Sequence, residues 1–331
     1  MVDPERAAVD VVDGIPVVER TFFDGDGASV GLANISAAVP DVEANKAKIL
    51  RVVRILKERG VNFAIFPELC LSGYFWEDEE RCRHYMEASA VENHRDWLDG
   101  ELAPLLDDTL RGIVLNGLSR GPAGQMFNRT FVLGGPHRDD YLGTENTYDK
   151  VFLPGIEKEY TVSGRDDRLV LEGPRGRFGF TTCYDVLFGD LLREYCLGDG
   201  VDAIIELASW RAAAVRDYPG LNVRTTSYYG DLWDKVLPAA AATNQVWVIA
   251  CNAVGRHPIS GATFWGGSGI WAPSGMKLIQ ASHIEEELLI VHNLDIRGVR
   301  ERERDDFDYA IDFHEIYRRL GESRAVTRNV G

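Results

Sequence analysis

Residues 61–66 read Val-Asn-Phe-Ala-Ile-Phe, an apolar run without the alternation of a half-exposed strand. A run of that kind belongs in a sheet covered on both faces. Ser29–Ile35, Arg111–Leu118, Arg129–Leu133, Val201–Leu207, Val246–Asn252, Gly269–Ala272, Met276–Gln280 and Glu287–Leu294 also read as strands. Arg168–Leu171 and Arg177–Thr182 read as a hairpin around Gly173-Pro174. Helical patterns fall between them. Asp41 is placed to cap a helix over Val42–Arg59 that Gly60 ends. Glu79–Leu110 reads as one or two helices broken near Pro104, and Asp190–Leu197 as a helix closed by Gly198. Thr225–Asn244 is helical in tendency with a kink at Pro238, and Arg211–Val223 is loop-like. Strands alternating with helices, with no repeat, low-complexity linker or break in composition, predict a single α/β sandwich.

That domain is expected over residues 29–294. Residues 1–28, acidic and small without a clear period, read as an N-terminal extension. The tail, 295–331, reads as a charged helix (Asp295–Arg304) and then an aromatic segment with Phe307, Tyr309, Phe313 and Tyr317, an expected oligomer contact.

Composition narrows the function. The chain carries 52 acidic and 36 basic residues, a net charge of −16, which repels phosphate backbones and anionic membranes. Nucleic acid and lipid surfaces are therefore not expected partners. No apolar stretch reaches the length of a membrane span, and the acidic start lacks the pattern of a signal peptide, so a cytoplasmic location is expected. Five cysteines without CxxC spacing fit reduced thiols. The seven histidines are scattered, so no metal is expected.

Three expected strand ends each carry one reactive side chain. In Gly176–Asp190 (GRFGFTTCYDVLFGD) a β-favouring run breaks at Cys183 just before a helical segment. A cysteine there sits near the positive end of a helix dipole and beside free backbone N–H groups. Glu68 lies just past Val61–Phe66, where α/β folds place their sites. Lys150 stands among apolar neighbours in Tyr148–Pro154. Each has an ordinary reading alone: a buried apolar cysteine, a loop carboxylate, a snorkelling lysine. Together they form a working set. The carboxylate takes the thiol proton, while the lysine lowers the thiol pKa and stabilises an oxyanion.

At these positions the sequence resembles the nitrilase, or carbon–nitrogen hydrolase, superfamily. The matching pieces are Phe66-Pro67-Glu68 with Leu71-Ser72-Gly73-Tyr74, Lys150-Val151-Phe152-Leu153-Pro154, and Thr182-Cys183-Tyr184-Asp185. Lesser matches are Ala242-Thr243-Asn244, and Phe264 through Ile270 with Pro273-Ser274-Gly275. The likeness runs from Ser29 to Tyr317. It implies a four-layer α-β-β-α sandwich and a Glu–Lys–Cys triad: Glu68 the general base, Lys150 the oxyanion stabiliser, Cys183 the nucleophile. It also implies a second glutamate, Glu157 as the better match and Glu159 as the fallback, and an oxyanion hole completed by the Tyr184 N–H.

There are departures from the family pattern. Phe188-Gly189-Asp190 replaces Phe-Pro-Glu, with Asp190 expected still to cap the helix, and Thr243-Asn244 replaces Glu-Asn. Where several carbamoylases and ω-amidases carry an arginine soon after the cysteine, this chain has Val186 and Leu187. One of these two is expected to face the acyl pocket and favour neutral, apolar acyl groups, unless Arg211, Arg216 or Arg224 supplies a cation. Cys-Tyr-Asp, rather than the Cys-Trp-Glu of nitrile-acting branches, points toward amides.

The expected activity is therefore that of an amidase without a cofactor, acting on a small-molecule amide through a cysteine thioester. The alternative within the family is an N-carbamoyl amide hydrolase. A serine amidase built on Gly266-Gly267-Ser268-Gly269 lacks a lysine-rich partner motif, and a silent scaffold protein is disfavoured by the intact triad. A homodimer is expected, packed through Asp190–Leu197 with the aromatic tail reaching across.

Overall fold

Within the strand Ala203–Ala208, Ala203, Ile205 and Leu207 face one core cluster and Ile204 and Ala208 another. Alternation with both sets buried is what a sheet with a second sheet in front and helices behind requires. The computed structural model describes residues 7–21, 27–134, 140–164, 168–221 and 223–317, and builds that arrangement from two sheets.

The first half of the chain supplies β1 (Ala7–Val12), β2 (Ile15–Thr21), β3 (Ala28–Asn34), β4 (Phe63–Ile65), β5 (Gly112–Arg120), β6 (Met126–Leu133) and β7 (Thr147–Asp149). The second supplies β8 (Val170–Gly173), β9 (Gly176–Thr182), β10 (Ala203–Ala208), β11 (Arg216–Tyr218), β12 (Val223–Thr225), β13 (Trp247–Asn252), β14 (Val254–Arg256), β15 (Thr263–Trp265), β16 (Gly269–Trp271), β17 (Lys277–Gln280) and β18 (Glu287–Leu294). One sheet runs β1-β2-β18-β3-β4-β5-β6-β7 and the other β17-β16-β13-β10-β9-β8. The parallel strands β3, β4 and β5 in one sheet and β9, β10 and β13 in the other carry the loops that form the site.

Val30, Leu32, Ile65 and Val114 of the first sheet meet Phe180, Ile205, Trp247 and Ile249 of the second in the central layer. Behind the first sheet packs the helix Val42–Glu58, capped by Asp41 through the Ala44 N–H at 2.9 Å. Behind the second lie Gly189–Gly198 and the helix Tyr228–Asn244, which holds Pro238 in its interior. These are four layers, α-β-β-α.

Residues 7–21, expected as part of an extension outside the domain, are a hairpin added to the first sheet, with β2 parallel to β18. The pattern was too weak to read because Val9 and Val11 stay exposed while Ile15 and Val17 enter the core. Ion pairs from Arg59 to Asp10 and Glu19 complete the attachment. Residues 1–6 lie outside the described residues. Two local expectations also change. Arg211–Val223 includes half of a small antiparallel hairpin, β11 with β12. The helix after Cys183 begins at Gly189 behind Phe188 with no side-chain cap, so Asp190 sits in its first turn, where it complements the dipole without capping.

The tail's helix, Ile296–Asp306, is capped by Asp295 and locked to its own domain by Arg300. That guanidinium, 3% exposed, donates to Asp202 Oδ1 at 2.8 Å, Gln245 O at 3.0 Å and Cys196 O at 3.0 Å. Tyr309, Ala310 and Phe313 then pack on the outer core of the same chain, while Phe307, Ile311 and Ile316 stay exposed. The Tyr317 side chain and residues 318–331 of the expected tail lie outside the described residues. Among the described residues no helix is long and apolar enough to cross a membrane.

Candidate active site

Glu68 leaves the end of β4 in a turn where Leu69 has φ +50° and donates its N–H to Asn116 Oδ1 at 2.8 Å. Gly73 follows at φ +75°, with Val39 2.2 Å from where its Cβ would stand, so only glycine fits. The Glu68 carboxylate is 1% exposed. Its Oε2 accepts the Ser209 N–H at 2.8 Å, and the Ser209 hydroxyl donates to the Glu68 carbonyl at 2.8 Å. Ser209 follows β10, so the second sheet grips a carboxylate that the first sheet delivers. Glu68 Oε1 accepts from Lys150 Nζ and from Asn128 Nδ2, each at 2.7 Å.

Lys150 follows β7, with its main-chain N–H on the Asn128 carbonyl at 2.9 Å. Its ammonium is buried between Glu68 and Glu157, donating to an oxygen of each. Glu157 is carried by a 3₁₀ turn, Gly155–Glu159, and is 0% exposed, whereas Glu159 is exposed. The other Glu157 oxygen accepts from Asn128 Nδ2 at 2.7 Å. Burial alone would favour the neutral amine of Lys150, but the two carboxylates outweigh it and hold the ammonium well above its ordinary pKa. Burial pushes Glu157 up against the opposing pull of Lys150, and the charge of Glu68 adds to the rise.

Cys183 ends β9 with φ +54°, a left-handed conformation that costs a non-glycine residue strain and recurs at functional turns. Burial pushes its thiol well above the ordinary value. Glu68 adds to that, and Lys150 only partly opposes it. The lysine acts in the expected direction, but burial, which the sequence did not show, pushes the thiol the other way, so a base close to it favours attack.

The turn itself is held by Asp185, which forms a capping box with Thr182. Asp185 Oδ2 accepts the Thr182 N–H at 3.1 Å and the Tyr148 hydroxyl at 2.7 Å, and Oδ1 accepts the Phe152 N–H at 2.8 Å. Burial pushes its carboxyl up to about 6, although Lys150 and these donors favour the charged form. The Tyr184 N–H lies in the first turn of the 3₁₀ helix Cys183–Leu187, where N–H groups have no partner within the helix.

The remaining predicted positions are less close to the chemistry. Val186 is buried in the outer cluster with Cys183, Leu192 and Trp233, and Leu187 is 37% exposed. Neither lines the pocket that reaches Glu68, and nor do Cys183 and Lys150. Tyr74, Ser209, Arg256, His257 and Phe264 do line it. Arg256 was not among the arginines considered from sequence. Of those, Arg216 stacks on Tyr228 at 4.1 Å, and Arg211 pairs in an isolated β-bridge with Phe264. The Tyr74 phenol faces the cluster: burial, then the negative charges of Glu157 and Glu68, push it well up. Ser268 is engaged in structure, its hydroxyl donating to Asn34 Oδ1 at 2.9 Å and accepting the Asn252 N–H at 2.8 Å.

Sequence reading missed Asn128, Ser209 and the role of Asp185. An asparagine beside the expected strand Arg129–Leu133 was the one visible signal for Asn128; Ser209 left none.

A carbon-nitrogen hydrolase family model matches residues 28–304. The chain is 23% identical over 307 residues to the chloroplastic ω-amidase of Arabidopsis thaliana, covering 91% of this chain and 75% of that one. It is 23% identical over 277 residues to the N-carbamoylputrescine amidase of Solanum lycopersicum, covering 80% and 86%. An amidase from Nesterenkonia sp. AN1, with acrylamide added at its active-site cysteine, superposes with a TM-score of 0.62 at 21% identity, covering 85% of this chain and 99% of that one.

Proposed function

This chain belongs to the carbon-nitrogen hydrolase family, and from that premise we propose that it is an amidase acting through a thioester on Cys183. The observation that carries the reading is the buried Lys150 ammonium held between Glu68 and Glu157, beside a cysteine on a strained turn. Cys183 Sγ attacks the amide carbonyl carbon as its proton passes to Glu68, the function a buried, protonated thiol requires. Lys150 and the Tyr184 N–H stabilise the oxyanion. The C–N bond then breaks as Glu68 returns the proton to nitrogen, and ammonia or an amine leaves. Water attacks the thioester and gives its proton to Glu68. The C–S bond breaks, releasing the acid and restoring the thiol. The adduct on the cysteine of the Nesterenkonia amidase supports this assignment of the nucleophile.

The test is to incubate the purified protein with an amide library and follow acid and ammonia release together with an acyl mass increment on Cys183. No turnover and no increment would refute the reading. The likeness to an N-carbamoylputrescine amidase supports a second reading, hydrolysis of an N-carbamoyl group, which releases CO₂ along with ammonia.

The proposed acyl preference is for neutral groups. Two carboxyl groups face one ammonium in the site, so an anionic tail adds to an excess of negative charge while losing its hydration. A matched aliphatic amide and its ω-carboxylated analogue separate the cases by kcat/KM. A preference of about tenfold or more, roughly 1.4 kcal/mol, for the carboxylated substrate would overturn this and direct attention to Arg256.

A further inference from the structure

We infer that Asn128 is a positioning residue of the site, whose amide nitrogen holds Glu68 and Glu157 on either side of Lys150 and so sets the acidic limit of the reaction. The inference rests on the amidase reading for its chemistry. Asn128 lies within β6 and is 1% exposed. Its Nδ2 donates at 2.7 Å to Glu68 Oε1 and at 2.7 Å to Glu157 Oε1, and its carbonyl accepts the Lys150 N–H at 2.9 Å. One residue therefore touches all three charged members of the cluster.

The orientation of the amide follows from chemistry. Turned over, it would place its oxygen between two carboxylates that can only accept. In the observed orientation Oδ1 is buried and, among the described residues, has no hydrogen-bond partner, a condition it shares with Asn244 Oδ1. Most buried asparagines satisfy both ends. Asn45 does so, with Nδ2 donating to the carbonyls of Ala38 at 2.7 Å and Leu71 at 2.9 Å while Oδ1 accepts the Ala38 N–H at 2.6 Å. Asn128 instead commits both N–H groups to carboxylates of the site and leaves its acceptor open.

The consequence is electrostatic. Two carboxylates gathered on one ammonium repel each other, and an N–H to each favours the charged form. Burial pushes Glu157 toward its neutral form and the charge of Glu68 adds to that, while Lys150 and then the Asn128 hydrogen bond oppose it; Tyr74 and Cys183 also face this carboxylate. Removing the donor raises the pH at which Glu157 takes a proton. Protonated Glu157 releases its hold on Lys150, and activity falls away at a higher pH than in the wild type.

The experiment compares wild type, Asn128→Ala and Asn128→Ser, each normalised to folded protein from its thermal melt. Two pH profiles are recorded: kcat/KM on an amide that the wild type hydrolyses, and the rate of Cys183 alkylation by iodoacetamide, which needs no amide substrate. The acidic limb is expected to move up by about one pH unit in Asn128→Ala, and by less in Asn128→Ser, whose hydroxyl can serve one carboxylate. Losses are therefore about tenfold larger at the acidic end than on the plateau. Profiles that superimpose on the wild type after scaling, or a loss equal at every pH, would overturn the inference. If Asn128→Ala does not fold, the Asn128→Ser profile decides. If the wild type hydrolyses no amide, the amidase reading fails by itself and the alkylation profiles alone decide the role of Asn128.

Discussion

Asp185 accepts the main-chain N–H of Phe152 at 2.8 Å. With its other oxygen it accepts the hydroxyl of Tyr148 at 2.7 Å, so the residues two before and two after Lys150 are both fastened to the turn that carries Cys183. The distance between nucleophile and ammonium is thus set by one carboxylate that touches neither. Asp185→Ala leaves three buried donors unmatched. It should lower stability by roughly 2–4 kcal/mol and turnover by more than about tenfold. Urea denaturation and steady-state kinetics check this; a variant with wild-type stability and rate would show that the turn holds itself.

Cys183→Ala should abolish hydrolysis and leave the fold intact, because among the described residues its thiol makes no hydrogen bond that the fold would lose. Labelling by iodoacetamide should be fastest at Cys183. Burial pushes Cys70 and Cys196 up to about 12, the Cys70 thiol is engaged with the Asn116 carbonyl, and Cys251 is committed to the carbonyls of Ala33 and Ile65. Peptide mapping that finds Cys70 or Cys196 modified first would overturn the assignment.

Glu157→Gln should cut turnover by roughly one to three orders of magnitude, comparable to the loss of one oxyanion donor. It should not cost stability. The site buries two carboxyl groups against one ammonium, and the substitution leaves a one-to-one pair of Lys150 with Glu68. Glu159→Gln, at an exposed position, should behave as wild type. The reverse pattern of rates would move the role to Glu159.

The buried acids predict an unusual slope of stability with pH. Glu206 is 0% exposed, with one oxygen on the Thr181 hydroxyl at 2.5 Å and the other without a partner among the described residues, and burial holds its carboxyl well above the ordinary range. Asp185, at about 6, and Glu157 are raised as well. For each, the folded chain binds the proton more tightly than the unfolded chain. The resulting stability is complete below about pH 4 and is lost as pH rises through the folded value. Melting temperature should therefore be higher at about pH 5.5 than at about pH 7.5, and Glu206→Gln should flatten the difference. A melting temperature that rises with pH over this interval in the wild type would count against neutral buried acids.

Assembly as a homodimer is the remaining expectation. The C-terminal segment packs Tyr309 and Phe313, partly buried, on its own chain but leaves Phe307, Ile311 and Ile316 exposed near the helix that follows Cys183. Light scattering at micromolar concentration should show a dimer, and Phe307→Asp with Ile311→Asp should shift it to monomer. A wild type that is strictly monomeric contradicts this.

What the sequence determined by itself was local. The apolar run Val61–Phe66, the hairpin around Gly173-Pro174, the Asp41 cap and the breaks at Glu68, Lys150 and Cys183 are each visible within a few neighbouring residues, because strand period, caps and turns are short-range properties. The tertiary structure alone decided what holds those side chains. Asn128 reaches Glu68 across 60 positions, Lys150 reaches it across 82, and Ser209 across 141. Hydrogen bonds between such distant residues leave no periodic trace in the chain. The same holds for the surroundings of the Cys183 thiol. A local reading saw a helix start and a lysine, which favour the thiolate, while burial and the charge of Glu68, which push the thiol up, arise only once the two sheets have closed around it.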